Sequence, residues 1–94
     1  MKRIEVYQCE LDKTISLEHV GRVKYTGVTF GVDGLTDQKE YDIVRDAQGD
    51  LKVIDDSGED YLYDLKNPRP ADGSSQGGKF EILDDFTGEL REYK

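Results

Sequence analysis

The chain has 94 residues, a length that gives one modest hydrophobic core and falls short of two ordinary domains. Acidic residues outnumber basic ones by 21 to 13, for a net charge of −8, and only 35% of the residues are hydrophobic. Direct nucleic-acid binding needs cations that displace phosphate counterions, and an anionic membrane repels an acidic chain, so both functions are disfavoured. We therefore expect a single domain over residues 1–94.

The beginning of the chain predicts a cytoplasmic location. Ile4–Gln8 alternates apolar and polar residues and lacks the continuous apolar region of a signal peptide. No segment approaches the roughly eighteen apolar residues of a membrane helix. Cys9 is the single cysteine and cannot form an internal disulfide, which fits a reducing compartment, and we interpret it as a buried structural thiol. A nucleophilic pair of Cys9 with His19, the single histidine, is the alternative.

The first third of the chain predicts two strands and a loop. Apolar and polar residues alternate along most of the chain with a period of two, whereas helical periodicity is missing, which predicts β structure. The pattern predicts strands over residues 4–11 and 20–25. Two glycines within Phe30–Leu35 then indicate a compact loop with its apolar side chains tucked beneath it.

The middle of the chain has the pattern of an antiparallel meander. Glycine-containing turns at 46–49 and 56–59 separate three alternating segments. Asn67–Pro70 ends the meander, because two prolines cannot donate hydrogen bonds to a ladder. Including two strands nearer the C-terminus, the predicted strands of this part cover residues 40–45, 51–55, 60–64, 79–83 and 90–93.

These short strands must curl to bury one face, and a barrel protects their edges. We therefore predict an all-β fold, a small, strongly bent antiparallel barrel of five to seven strands. The layout resembles an SH3-like barrel, because a long loop containing Gly34 and Leu35 precedes the strand of Tyr41 and two tight hairpins follow. The chain has no tryptophan and does not reproduce the aromatic ligand-binding set of eukaryotic SH3 domains. An OB-like barrel is the alternative.

Three segments also resemble a family of small acidic proteins encoded in Gram-positive bacteria and their mobile elements. These segments are Phe30–Thr36, Val53–Tyr63 and Asn67–Ile82. The first 25 residues lie outside the resemblance. The family has no assigned biochemical activity, so the resemblance implies an SH3-like barrel and supplies no mechanism.

Two motifs have some of the features of ligand sites. Gly73–Lys79 has the glycine spacing of a phosphate-binding P-loop, but Phe80 stands where magnesium binding needs Ser or Thr, and a strand pattern follows where a helix should begin. Asp55–Asp60 has the acidic density of a calcium loop without the EF-hand spacing. We predict no cofactor, no metal site and no catalytic residues, and a divalent ion at the acidic turns is left as an alternative.

The acidic residues are concentrated in one segment. Between Glu40 and Asp64 there are nine acidic side chains and only two basic ones. Tyr61 and Tyr63 alternate on the same predicted strand, so they form an exposed aromatic patch if Leu62 points inward, and they belong to the core if Leu62 points outward. The pattern leaves both arrangements open.

We predict a non-enzymatic protein-interaction module whose acidic, tyrosine-containing surface binds or inhibits a basic protein partner. The predicted binding residues are Tyr41, Asp55, Asp56, Glu59, Asp60, Tyr61, Tyr63 and Asp64. One alternative is a DNA mimic, whose carboxylates imitate phosphate groups, and another is a domain that binds a small ligand or a divalent ion. The sequence leaves the oligomeric state open.

Overall fold

The computed structural model describes residues 2–31, 34–70 and 72–93, so Val32 and Asp33 of the predicted early loop lie outside the described residues. Six strands make up most of the ordered structure. A short 3-10 helix over Glu89–Tyr93 follows the last of them. The strands are β1 (Arg3–Gln8), β2 (Lys13–Gly27), β3 (Glu40–Arg45), β4 (Leu51–Ile54), β5 (Asp60–Tyr61) and β6 (Gly78–Asp85).

All strand pairs are antiparallel, and the order in the sheet is β1-β2-β3-β4-β5, with β6 paired to β2. β1 pairs with the first half of β2, whereas β6 pairs with the second half, from Gly21 to Gly27. The sheet curls into a partly open barrel about the long strand β2. The prediction of a small all-β antiparallel barrel is therefore confirmed. No helix in the described part of the chain is long and apolar enough to cross a membrane.

A bulge in β2 determines how the sheet packs. His19 pairs with Val44 of β3, and Gly21 pairs with Ile43. Val20 is therefore an extra residue in β2 that has no partner in β3. Residues two apart on a strand normally share a face, yet Leu17 and Val23 belong to different hydrophobic clusters. The extra residue shifts the alternation by one position, so β2 contributes apolar side chains to both faces of the sheet.

The two clusters lie on opposite faces of β3. Ile43 belongs to the larger cluster, and the adjacent Val44 belongs to the smaller one. The smaller cluster packs the β1–β2 hairpin against the sheet through Val6, Leu17 and Val44. The larger cluster fills the barrel. Its buried members are Val20, Val23, Tyr25, Phe30, Leu35, Tyr41, Ile43, Val53, Leu65 and Leu90.

The central meander is confirmed, with hairpin turns closed by hydrogen bonds from Gly49 to Asp46 and from Gly58 to Asp55. Several strand limits differ from the predicted ones. β1 ends at Gln8, β2 begins seven residues before the predicted start at Val20, and β5 stops at Tyr61. The hydrophobic cluster on the second face supports the early part of β2, which explains the added length.

Two predictions are wrong. The segment predicted as a last strand forms the 3-10 helix, because Asp85 Oδ1 accepts hydrogen bonds from the amides of Gly88 and Leu90 and turns the Leu90 side chain into the core. Cys9 is exposed in the turn after β1. Its amide donates to Glu59 Oε1, and that carboxylate raises the pKa of the thiol.

Candidate protein-binding groove

The eight predicted binding residues do not form one surface: five line an open groove, whereas Tyr41, Asp56 and Asp60 do not. Tyr41 is buried and only 4% exposed. Its hydroxyl donates to Asp56 Oδ1 over 2.9 Å and accepts from the Thr36 amide over 2.6 Å. Tyr41 therefore anchors the loop before β3 to the turn after β4 and presents little surface to a partner.

Asp56 is the centre of this buried network. Besides Tyr41, it accepts hydrogen bonds from the Thr36 hydroxyl and from Lys39 Nζ, each over 2.7 Å. Burial acts to raise the pKa of Asp56, but the hydrogen bonds from Lys39, Thr36 and Tyr41 outweigh it and hold the pKa below its usual value. The side chain is 14% exposed, so its charge serves the fold more than the surface.

Asp55 is also buried, with 7% exposure, and holds the β4–β5 turn together. One of its oxygens accepts hydrogen bonds from the amide and the hydroxyl of Ser57. The other accepts from the Tyr63 hydroxyl over 2.8 Å. Burial and this carboxylate both raise the pKa of Tyr63, so the phenol stays protonated and keeps donating.

Glu59 and Asp60 connect the turn before β5 to the end of β1. Glu59 accepts from the Cys9 amide over 2.9 Å, and Asp60 Oδ1 accepts from Gln8 Nε2 over 2.7 Å. Lys52 Nζ lies 3.9 Å from the other oxygen of Asp60. These bonds bring the β1–β2 hairpin against β5 and help the sheet to curl.

The segment Tyr61–Asp64 lines a groove of about 930 Å³. The β4–β5 turn forms one wall, and Arg69, Pro70 and Gly73 form the other. Tyr61 is 48% exposed and Leu62 is 67% exposed, whereas Tyr63 is half-buried with its hydroxyl on Asp55. Neither predicted arrangement, with both tyrosines exposed or with both in the core, describes this segment. Pairing with β4 ends at Tyr61, so the strand alternation does not continue through Leu62 and Tyr63.

Carboxylates outnumber cations in this groove. Asp55, Glu59 and Asp64 line it together with one guanidinium, that of Arg69. Asp64 is exposed, and its Oδ1 accepts hydrogen bonds from the amides of Lys66 and Asn67, which fixes its position at the end of the groove. The groove therefore combines exposed apolar side chains with a net negative charge.

A second hollow of about 460 Å³ lies on the other side of Tyr61 and Leu62. Its remaining walls come from the Gln8–Glu10 turn, Lys52, Glu59 and Asp60. Because both hollows share Tyr61 and Leu62, these two side chains form a ridge that solvent reaches from both sides. No other large apolar side chain in the described part of the chain exceeds the exposure of Leu62.

The geometry does not support the nucleophilic pair considered for Cys9. Cys9 follows one end of β1, whereas His19 lies at the far end of the hairpin, where its amide bonds Lys2. His19 Nε2 instead contacts Asp42 Oδ1 at 2.9 Å, and the ring packs edge-on against Phe86. A thiol whose pKa is raised is also a weak nucleophile at neutral pH.

The glycine-rich motif and the acidic turns have structural roles. The last two residues of Gly73–Lys79 begin β6, and Gly77 packs against the Pro68 carbonyl. Within the ranges that the structure describes, no three His, Cys, Asp or Glu side chains are grouped so that they could hold a metal ion.

The sequence did not identify Leu62, Arg69 and Pro70 as groove residues. Alternation along 60–64 predicted that Leu62 and the two tyrosines lie on opposite faces of one strand. The strand ends at Tyr61, and no feature of the sequence indicates that end. The prolines indicated the end of the meander. In the structure Pro68 packs against Gly77, and the next two residues, Arg69 and Pro70, line the groove together with Tyr63.

Tyr63→Phe tests the contact that supports the groove. We expect the variant to lose about 1.5 kcal/mol of unfolding free energy, because Asp55 Oδ2 keeps its burial and loses its hydrogen-bond donor. Tyr61→Phe removes the same hydroxyl two residues away, from a ring that is 48% exposed, and should leave stability unchanged. Urea unfolding of both variants measures the difference, and equal stability would contradict the Tyr63–Asp55 bond.

Comparisons of the chain with protein-family models, with curated proteins and with solved structures found no match. The resemblance to small acidic proteins of Gram-positive bacteria therefore stays a prediction.

Proposed function

We propose that the chain is a non-enzymatic protein-interaction module that uses the groove along Tyr61–Asp64 to bind a basic segment of a protein partner. The observation that carries the proposal is the exposed pair Tyr61 and Leu62 beside a groove with three carboxylates and one guanidinium. Aromatic and aliphatic anchors at a concave site are the features by which protein surfaces gain most of their binding free energy.

The apolar contribution comes mainly from Leu62. A leucine that is 67% exposed leaves most of its side chain in water, and full burial of such a side chain contributes about 1.5–3 kcal/mol. Tyr61 adds a rigid ring with a polar end, which suits a surface that is wet in the free protein and dry in the complex. The two side chains together supply an anchor of useful size.

The charge of the groove supports a basic partner over a neutral or acidic one. The side chains of Asp56 and Asp60 are only 14% and 6% exposed, whereas Asp64 is exposed and Glu59 is half-buried, so a ligand reaches Asp64 and Glu59 most easily. A net charge of −8 adds a long-range field that speeds the approach of a cationic protein. A DNA mimic needs carboxylates that stand free along one face, whereas Asp55, Asp56 and Asp60 accept hydrogen bonds within the fold.

A display selection from a random library of linear twelve-residue peptides tests the proposal. We expect the selected peptides to be basic and to bind with an affinity that falls as salt rises, because Asp64 is exposed and Glu59 is partly exposed, so salt screens their charges. Leu62→Ala should weaken binding about tenfold, which corresponds to about 1.4 kcal/mol. Leu83→Ala is the matched control, since Leu83 is 39% exposed on β6 and lies outside the groove.

The charge is tested separately by Glu59→Gln with Asp64→Asn. Both replacements keep an acceptor for the amides of Cys9 and Lys66, so the local fold is retained while two charges are removed. We expect weaker binding and a smaller salt dependence. Peptides without basic residues, or equal losses in Leu62→Ala and Leu83→Ala, would contradict the proposal.

A further inference from the structure

We infer that the bound segment adds to the sheet as an extra strand, pairing its backbone with the open edge at β5 and Leu62. The inference rests on the proposed function and specifies how the basic segment is held. In this mode, main-chain hydrogen bonds supply much of the affinity and alternate side chains supply the specificity.

The first observation is the position of β5 in the sheet. The path β1-β2-β3-β4-β5 ends there, and β5 pairs only with β4, through Tyr61 opposite Val53 and Asp60 opposite Ile54. Within the described ranges, no strand pairs with its other edge, and the end of β1 reaches β5 through the Gln8 and Asp60 side chains alone. An unpaired edge of this kind is a template for another chain.

The second observation is the state of the backbone after β5. In the part of the chain that the structure describes, no hydrogen bond is made by the amide or carbonyl groups of Leu62 and Tyr63. Successive residues of a strand direct these groups alternately to its two neighbours, so Asp60, next to the paired Tyr61 in β5, directs its groups away from β4. Together with the unbonded groups of Leu62, it offers donors and acceptors at the open edge.

The third observation is how the groove is lined. Side chains of an extended chain alternate between two sides, yet Tyr61, Leu62, Tyr63 and Asp64 all line the same groove. Four consecutive residues can do so when the groove runs along the edge of their backbone. A ligand in the groove thus lies beside main-chain groups as well as side chains.

The charge identifies the chemistry of the occupant. An added strand extends about 3.3 Å per residue, so about four of its residues would run along Tyr61–Asp64. Every second side chain of such a strand has the same orientation. Glu59 lies before this stretch and Asp64 at its end, so lysine or arginine at alternate positions of the segment would meet a carboxylate at each end.

The experiment uses the tightest peptide from the twelve-residue selection as its probe. Each of its amides is N-methylated in turn, which removes one backbone donor and leaves the side chains of this protein untouched. We expect losses of about tenfold or more at alternate positions and little change between them, because an edge strand receives hydrogen bonds from every second residue. Amide exchange at Leu62 should slow at least about tenfold in the complex, whereas the Val53 amide, already opposite Tyr61 in the ladder, serves as the reference.

The outcomes separate the inference from the proposed function. A basic peptide that binds in the groove while tolerating N-methylation throughout, with Leu62 exchange unchanged, would overturn strand addition and leave the interaction module intact. Failure to select any groove-binding peptide would overturn both. A concentration-dependent dimer that the peptide dissociates would identify a second copy as the occupant and overturn the assignment to a basic partner.

Discussion

Gly77→Ala should lower the unfolding free energy by about 4 kcal/mol, the largest loss expected for a single methyl group in this chain. A Cβ at position 77 would lie 1.9 Å from the Pro68 carbonyl oxygen and 2.7 Å from the Arg69 Cβ. The backbone oxygen cannot rotate away, so the loop has to move. Gly77 also has a φ of +68°, a left-handed conformation that costs an alanine about 1–2 kcal/mol by itself.

Gly73→Ala is the matched control, because Gly73 lies in the same loop with a φ of +74° and a Cβ added there would meet nothing within 4 Å. We expect it to lose about 1 kcal/mol, from conformation alone. Urea or thermal unfolding of the two variants measures the contribution of packing by difference. Equal losses would contradict the close contact between Gly77 and Pro68.

The loop that Gly77 fixes also carries a wall of the groove. Arg69, Pro70 and Gly73 line it, and the Gly78 amide bonds the Pro68 carbonyl over 3.0 Å. If the protein stays folded at low temperature, Gly77→Ala should therefore weaken peptide binding more than Gly49→Ala, since Gly49 has a positive φ, has open space for a Cβ and lies outside the groove. This result would connect the packing of the loop to the proposed function.

Asp56→Asn should lower the unfolding free energy by about 2 kcal/mol near neutral pH. The carboxylate accepts hydrogen bonds from the Tyr41 and Thr36 hydroxyls and from Lys39. In asparagine an NH2 group replaces one carboxylate oxygen, so at least one of these three groups loses its acceptor. When the amide nitrogen takes the Oδ1 position, Tyr41 and Lys39 both lose their acceptor, and Tyr41 is only 4% exposed to water. Asp50→Asn is the control, since Asp50 is an exposed residue of the β3–β4 turn.

The effect of Asp56→Asn should depend on pH in a defined direction. The folded protein holds the pKa of Asp56 below its ordinary value of 3.8, so the ionised form stabilises the fold above that value. This contribution is lost as the pH falls below about 4 and passes through the lowered pKa. Burial acts to raise the pKa of Asp46, but hydrogen bonds from the Asp50 amide and Lys52 outweigh it and lower the pKa. Ionised Asp46 therefore also stabilises the fold above its ordinary pKa.

Urea unfolding at about pH 7 and about pH 3 measures this dependence. We expect the gap between the natural protein and Asp56→Asn to narrow at the lower pH, whereas Asp50→Asn should stay within about 0.5 kcal/mol of the natural protein at both. A gap that stays constant would show that ionisation of Asp56 does not contribute to stability.

The sequence predicted the local architecture well. Alternation identified β3 and β4, and the glycines at 49 and 58 identified the turns, because they adopt φ values of +90° and +83° that other residues disfavour. The same local patterns predicted an antiparallel meander and an all-β barrel. These features depend on neighbouring residues alone, so a single chain contains the signal for them.

The candidate site was only partly predictable. Tyr61, Tyr63, Glu59 and Asp64 were identified as binding residues and line the groove. Tyr41, Asp55 and Asp56 were identified by residue type, yet they form hydrogen bonds inside the fold. Residue type cannot separate these cases, because a carboxylate in a turn has the same sequence pattern whether a tyrosine from another strand reaches it or not.

The amino-acid sequence alone therefore specifies the class of fold, the turns and the excess of negative charge. The tertiary structure alone decided which face each side chain occupies, because the extra residue Val20 shifts the alternation of β2 and the pairing of β5 stops at Tyr61. It also decided which carboxylates remain open to a partner. Both outcomes depend on contacts between residues far apart in the chain, which short-range periodicity does not capture.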